Sequence, residues 1–478
     1  MIVTIVIYLL VLIIFGYYIH LFLTAQFKIF SIFLEEVVIL HDYLYNHRMQ
    51  ITTTRRQSVL FTLATAAAVA FCLAGQPAQA AEEAPQTPAT DPFIYILDGE
   101  SLFGYSDIAG PAAGDFSTSH KWLTSASYKV NEKDRLIALF NGSFRKDNIF
   151  IRQDEGSQAS NQLLSYNLSA AYKKFFGDMM NFKPVFFYNV VLLKETADER
   201  LGKGLYDYED IGGGFENTHQ ILGEDGKERL LTYGFNFFRR EYPNYRTLEA
   251  LSSREPLEDK EKDFLGYKLD GSYRAPWWFD TTARLEGTLL FKDYTDKLTV
   301  NSNGIRQNDG RQDLYLEFGG AVYKALTEQL NGGFSAMFKN NTSNLDFYDT
   351  RNTLALTDDR FFEGYYDYHA YELKPSLTVT GPTFFKGAKP SSAQVSWAYE
   401  KTFYPGRTAQ DVSGVLLGTD QVDRNAKTAV QLNVPMSKQW TWVMAGSYEK
   451  QVSNQKFENS YLYSYEAWSL LTGVSLEL

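Results

Sequence analysis

From residue 280 to 294 the chain alternates in character. Ala283, Leu285, Gly287, Leu289 and Phe291 fall on one side of an extended strand, and Thr282, Arg284, Glu286, Thr288 and Lys292 fall on the other. Successive side chains of a strand point to opposite faces, so a face carrying Arg and Glu must stay wet while its reverse stays dry. The split recurs in 263–275, where Leu265, Tyr267, Leu269, Gly271 and Tyr273 oppose Lys268, Asp270, Ser272 and Arg274. In 371–379, Leu373, Leu377 and Val379 oppose Glu372, Lys374, Ser376 and Thr378. After Pro92 no comparable 3.6-residue apolar stripe competes with this period of two, so the chain is predicted to be all-β.

Alternation alone fits a soluble sandwich as well as a membrane barrel; strand length and connection pattern separate them. The pattern predicts strands at 93–106, 119–130, 135–146, 162–174, 182–196, 206–222, 229–241, 263–275, 280–294, 312–325, 329–341, 364–379, 391–404, 426–434, 440–452 and 465–478. Most exceed the 5–6 residues usual in globular sheets and cover the roughly 9–11 that a tilted strand needs to cross a bilayer. Short connections (131–134, 175–181, 223–228, 276–279, 327–329 and 435–439) alternate with long polar ones (241–262, 295–311, 341–363 and 405–425). The connection at 381–390 should be short and is not. These features predict a transmembrane antiparallel up-and-down β-barrel over 93–478, with about sixteen strands, short periplasmic turns and long extracellular loops. Fourteen and eighteen are the neighbouring counts.

The first ninety-two residues carry other information. Residues 1–24 contain no charge, long enough for a membrane-spanning helix. A second apolar block, 58–75, follows Met49, Arg55 and Arg56 and leads to Ala78-Gln79-Ala80. That order of basic, apolar and small residues is a cleavable secretory signal over 49–80, with Ala78 and Ala80 at the cleavage site. Residues 1–48 read either as an over-called gene start or as a real anchor, and 81–92, rich in Pro, Ala and acid, as a flexible periplasmic tether. The expected location is the cell outer membrane.

Charge and composition remove several functions. A formal net charge of −11 argues against a nucleic-acid partner. With one Cys, Cys72 inside the signal segment, a disulfide framework or thiolate metal site is excluded, and no cofactor is expected.

The last strand is the most specific signal. Trp468, Leu470, Thr472, Val474, Leu476 and Leu478 make an outward row, opposed by Ser469, Gly473, Ser475 and Glu477. The final seven residues resemble the C-terminal assembly signal of Gram-negative outer-membrane proteins, with Gly473, Leu476 and Leu478 at its defining positions. A terminal aromatic is usual there, and Leu478 departs from that pattern. The resemblance is to the outer-membrane β-barrel class and implies outer-membrane lipid and the barrel assembly machinery as partners.

Sixteen strands enclose a lumen that side chains cannot fill, so a porin-like channel for passive diffusion of small hydrophilic solutes is expected, monomeric or homo-trimeric. Candidate lumen-facing residues are Lys268, Asp270, Arg274, Arg284, Glu286, Lys292, Glu372, Lys374, Glu400 and Glu449. They would either set up a transverse field that selects solutes or stabilise the wall as ion pairs. Tyr before a basic residue recurs near short turns, at Tyr128, Tyr172, Tyr273 and Tyr323, and is read as an aromatic girdle. A secretion or export pore working with periplasmic partners is the alternative. An enzyme is the second alternative and is not expected, because His120, His219 and His369 carry no catalytic motif.

Overall fold

The computed structural model describes residues 93–108, 115–147, 161–177, 179–194, 200–223, 226–245, 260–349, 360–457 and 463–478. The segments 1–48, 49–80 and 81–92, with Ala78 and Ala80, lie outside the described residues. The strands are β1 (Phe93–Ile108), β2 (Asp115–Asn131), β3 (Asp134–Asp147), β4 (Asn161–Phe176), β5 (Met180–Lys194) and β6 (Tyr208–Leu222). They continue as β7 (Glu228–Glu241), β8 (Phe264–Trp277), β9 (Thr281–Val300), β10 (Arg306–Ala325), β11 (Leu330–Ser343) and β12 (Phe347–Asp349). The last are β13 (Arg360–Phe362), β14 (Tyr368–Thr380), β15 (Ser392–Gln410), β16 (Leu416–Pro435), β17 (Trp440–Ser453) and β18 (Tyr465–Glu477).

Sixteen of them form one closed antiparallel barrel in sequence order, β1 to β11 and then β14 to β18, with β18 returning to β1. β12 and β13 pair separately within the β11–β14 connection. Closure leaves no sheet edge, which satisfies every ladder group without water and is what a strand-built structure needs in lipid. Each strand expected from alternation is present.

Two expected long loops are instead extensions of the wall. The segment 295–311 continues β9 and β10 to a tip at 301–305, with Arg306 paired to Val300 across a register shift. The segment 405–425 likewise extends β15 and β16 to a tip at 411–415. Of the Asn, Asp and Gly that suggested loops, Asn301, Gly304, Asp411 and Gly414 close the tips, while others such as Asp309, Gly310 and Asp420 lie within the paired strands. Asn301 Oδ1 accepts from the Asn303 and Ile305 N–H groups at 3.0 Å each, with Gly304 at φ 75°. Asp411 Oδ1 accepts from Ser413 and Val415 N–H at 2.8 and 2.9 Å, with Gly414 at φ 81°. A side-chain acceptor closing a turn, with glycine in the left-handed region, is a local device that pairs the flanking chain rather than releasing it.

Candidate functional site: the charged inner wall

The register separates two rows on every strand. On β8 to β11 one row carries Leu269, Phe318 and Phe334, exposed by 50%, 56% and 45% with no polar partner, as a lipid-facing wall requires. The other row lines a recess of about 480 Å³ bounded by Lys183, Glu216, Asp270, Arg284, Glu286 and Glu317, residues of five strands whose side chains converge on one space. Ten candidate charges fall on this inward row: Lys268, Asp270, Arg274, Arg284, Glu286, Lys292, Glu372, Lys374, Glu400 and Glu449.

Most of these acids and bases meet. Lys268 pairs with Asp270 at 2.9 Å and Arg284 with Glu286 at 2.8 Å, each pair two residues apart on one strand. Glu372 and Glu400 stand directly opposite one another on β14 and β15, and Lys339 bridges them at 3.0 and 2.6 Å. Glu449 pairs with Lys427 at 3.0 Å and also accepts from Asn425 and Tyr465. Arg274, Lys292 and Lys374 make no ion pair among the described residues; Arg274 lies directly opposite Arg284.

Sequence reasoning missed the bridging cations Lys339 and Lys427 and the pair Lys183–Glu216 at 2.7 Å. It also missed a row of three cations on adjacent strands, Arg135, Lys173 and Lys183, brought side by side by the β3–β4 and β4–β5 registers. The signal for them was the same inward alternation, followed through strands whose polar row is less regular.

The extracellular half is braced by cations on rings. Arg240 donates to both Asp210 oxygens at 2.7 and 2.9 Å while its guanidinium lies 3.8 Å from the Tyr208 ring centre. Arg311 repeats the arrangement with Asp313 at 2.9 and 2.8 Å, stacked on Tyr294 and Tyr366. Between the strands, Lys262 sits over Tyr206 and Tyr245 at 5.1 and 4.9 Å. Burial pushes its pKa down, and the Arg311 and Lys297 charges push the same way.

The remaining candidates divide. Tyr128, Tyr172 and Tyr273 lie on outward rows, Tyr128 with its ring 4.7 Å from Phe93 and Tyr172 opposite Leu136. Tyr323 is a correction to the girdle: it lies on the inward row, where it borders Gly333 beside Ser376. The Ala321–Arg284 pairing sets the phase of β10 and turns Lys324 outward instead, so the dipeptide is the same but its face is reversed. In the assembly signal, Gly473 abuts β1 and Leu478 exchanges backbone hydrogen bonds with Leu97 at 3.1 and 2.9 Å, while Leu476 stands opposite Gly99.

The three histidines have structural neighbours. His120 Nδ1 is 3.2 Å from Ser101 Oγ, His219 stacks on Tyr233, and His369 stacks on Phe403. Asp367 turns away from His369 to accept from the Ser343 N–H at 2.8 Å.

No family model matches the chain. No curated protein matches it either. Among solved structures it is similar to a bacterial polysaccharide outer membrane secretin, at 8% identity over 80% of this chain and 98% of that one, with a TM-score of 0.42. It is similar to OprB of Pseudomonas putida at 8% identity, 81% and 94% coverage and TM-score 0.42. It is also similar to OprD of Pseudomonas aeruginosa at 8%, 80% and 94%, with a TM-score of 0.37. Closed in sixteen strands, with an apolar outer row and a charged inner one, the chain has the fold of a transmembrane β-barrel of the outer-membrane type.

Proposed function

We propose that the protein is a porin-like channel for passive diffusion of small hydrophilic solutes. The carrying observation is the inward convergence of polar and charged rows within a ring of sixteen strands, a circumference too wide for side chains to fill. Two groups of the inward charges stand on opposite sides of the ring. Arg135, Lys173 and Lys183 share one arc, where Lys183 alone of the three pairs with Glu216. On the far side of the ring Glu372 and Glu400 share the single cation Lys339, next to Glu317. Separated charge of opposite sign across a lumen orients water and polar solutes, while local pairing keeps net selectivity modest.

Single-channel conductance in planar bilayers, with a salt gradient, tests this. Stable steps with weak ion preference are expected, and a correctly folded barrel that gives no steps overturns the reading. Lys339→Gln should move the preference towards cations by about twofold. A unit charge seen from about 8 Å through water is worth about 0.5 kcal/mol. An unchanged reversal potential would show that Lys339 does not face the ion path.

A further inference from the structure

The β14–β15 connection breaks the pattern of tight turns on its side of the barrel, and it does so as an ordered lobe. Its neck is closed by Gly381 N–H to Ser391 O at 2.8 Å and by Ser391 N–H and Oγ–H to Pro382 O at 3.0 and 2.9 Å. Its tip turns at Gly387, φ 80°, with Ala388 N–H donating to Phe385 O at 3.1 Å. The lobe leans along the rim as far as β18, where Lys389 meets Glu477 at 2.8 Å.

This lobe carries two adjacent aromatics that a water-facing turn has no reason to display, Phe384 and Phe385, 63% and 47% exposed. Together with Val379, Leu432, Val434 and Trp442 they line a recess of about 540 Å³. Those four are outward-row residues of β14, β16 and β17, so the recess opens to the lipid side of the wall and not to the lumen. Its lining is almost wholly apolar, yet the two connections that frame it are basic. Lys386 and Lys389 lie on the lobe and Lys438 on the 436–439 turn. Lys386 and Lys438 make no ion pair among the described residues. The acids at this edge are Glu477, paired with Lys389, and Glu328 on the 326–329 turn.

An apolar slot in the lipid-facing wall, rimmed by cations at the water boundary, is complementary to a lipid whose acyl chain is joined through glycerol to an anionic phosphate headgroup. We infer that the recess is a binding site for one anionic phospholipid of the periplasmic leaflet. An acyl chain lies between Phe384–Phe385 and the wall at Trp442, and the phosphate faces Lys386 and Lys438.

The test uses the protein as extracted from outer membranes and stripped of lipid in mild detergent. Phosphatidylglycerol is then titrated in and bound lipid is counted by native mass spectrometry. One molecule should be retained more tightly than the rest. Both the Lys386→Glu/Lys438→Glu and the Phe384→Ser/Phe385→Ser variants should weaken that molecule by about tenfold. All four side chains are on connections, so each variant should keep the folded form, checked as heat-modifiable mobility on a gel. Equal retention by wild type and both variants overturns the site. So does an oligomer that falls apart in the Phe384→Ser/Phe385→Ser variant, because the recess would then hold a second copy of the chain.

Discussion

Gly473→Val is expected to abolish the folded barrel. A Cβ at Gly473 would sit 1.8 Å from the Ser101 carbonyl oxygen and 2.9 Å from Leu102 Cα, and one at Gly104 would sit 1.9 Å from the Leu470 carbonyl oxygen. These neighbours are backbone atoms, so no rotamer change relieves the overlap and the two strands must separate. They are also the strands whose pairing closes the ring, from Asp98 opposite Glu477 to Ile108 opposite Ala467. An open ring in lipid leaves unpaired N–H and C=O groups along two edges, each costing several kcal/mol. The measurement is the fraction of heat-modifiable, protease-resistant protein in outer membranes. Gly99→Ala is the control, since a Cβ there meets nothing closer than Lys121 O at 3.9 Å. Normal levels of folded Gly473→Val protein would mean that the seam tolerates a wider spacing than the structure has.

Arg240→Met should cost about 3–5 kcal/mol of barrel stability, the usual penalty for leaving a buried charge without its partner. Asp210 has only 6% of its side chain accessible, and Arg240 supplies two of its hydrogen bonds. Asn189, at 3.5 Å, cannot replace a bidentate guanidinium. The stacking of Arg240 on Tyr208 and Phe264 is lost in the same step. Urea unfolding in detergent, followed by Trp fluorescence, reads the effect. Arg240→Met/Asp210→Asn should recover much of the loss, because the carboxylate that needed neutralising is gone. A single-variant cost below about 1 kcal/mol would show that water reaches Asp210 and solvates it.

Legibility in the sequence varied with the distance over which each feature is decided. Strand positions were readable because a strand with one wet and one dry face writes its period into consecutive residues, as at Ala283 to Lys292. That Glu372 and Glu400 share a face followed from the same rule. Their shared partner Lys339 did not, because it lies 61 residues from Glu400 and only the registers of β11, β14 and β15 bring the three together. Polar composition at 295–311 and 405–425 was read as loop, since a hairpin arm standing beyond the membrane has no dry face to enforce alternation.

Taken alone, the sequence determined the class of fold, a count of about sixteen strands and which residues alternate, all consequences of local chemistry repeated along one chain; closure in sixteen came from the structure. Only the tertiary structure decided phase, partnership and closure. Tyr323 faces inward because β10 is registered against Arg284, and Arg240 is neutralised by Asp210 thirty residues away. The lobe at 381–391 makes a recess only because β16 and β17 stand beside it. A one-residue slip in register reverses every face of a strand, and no local pattern carries enough information to exclude it.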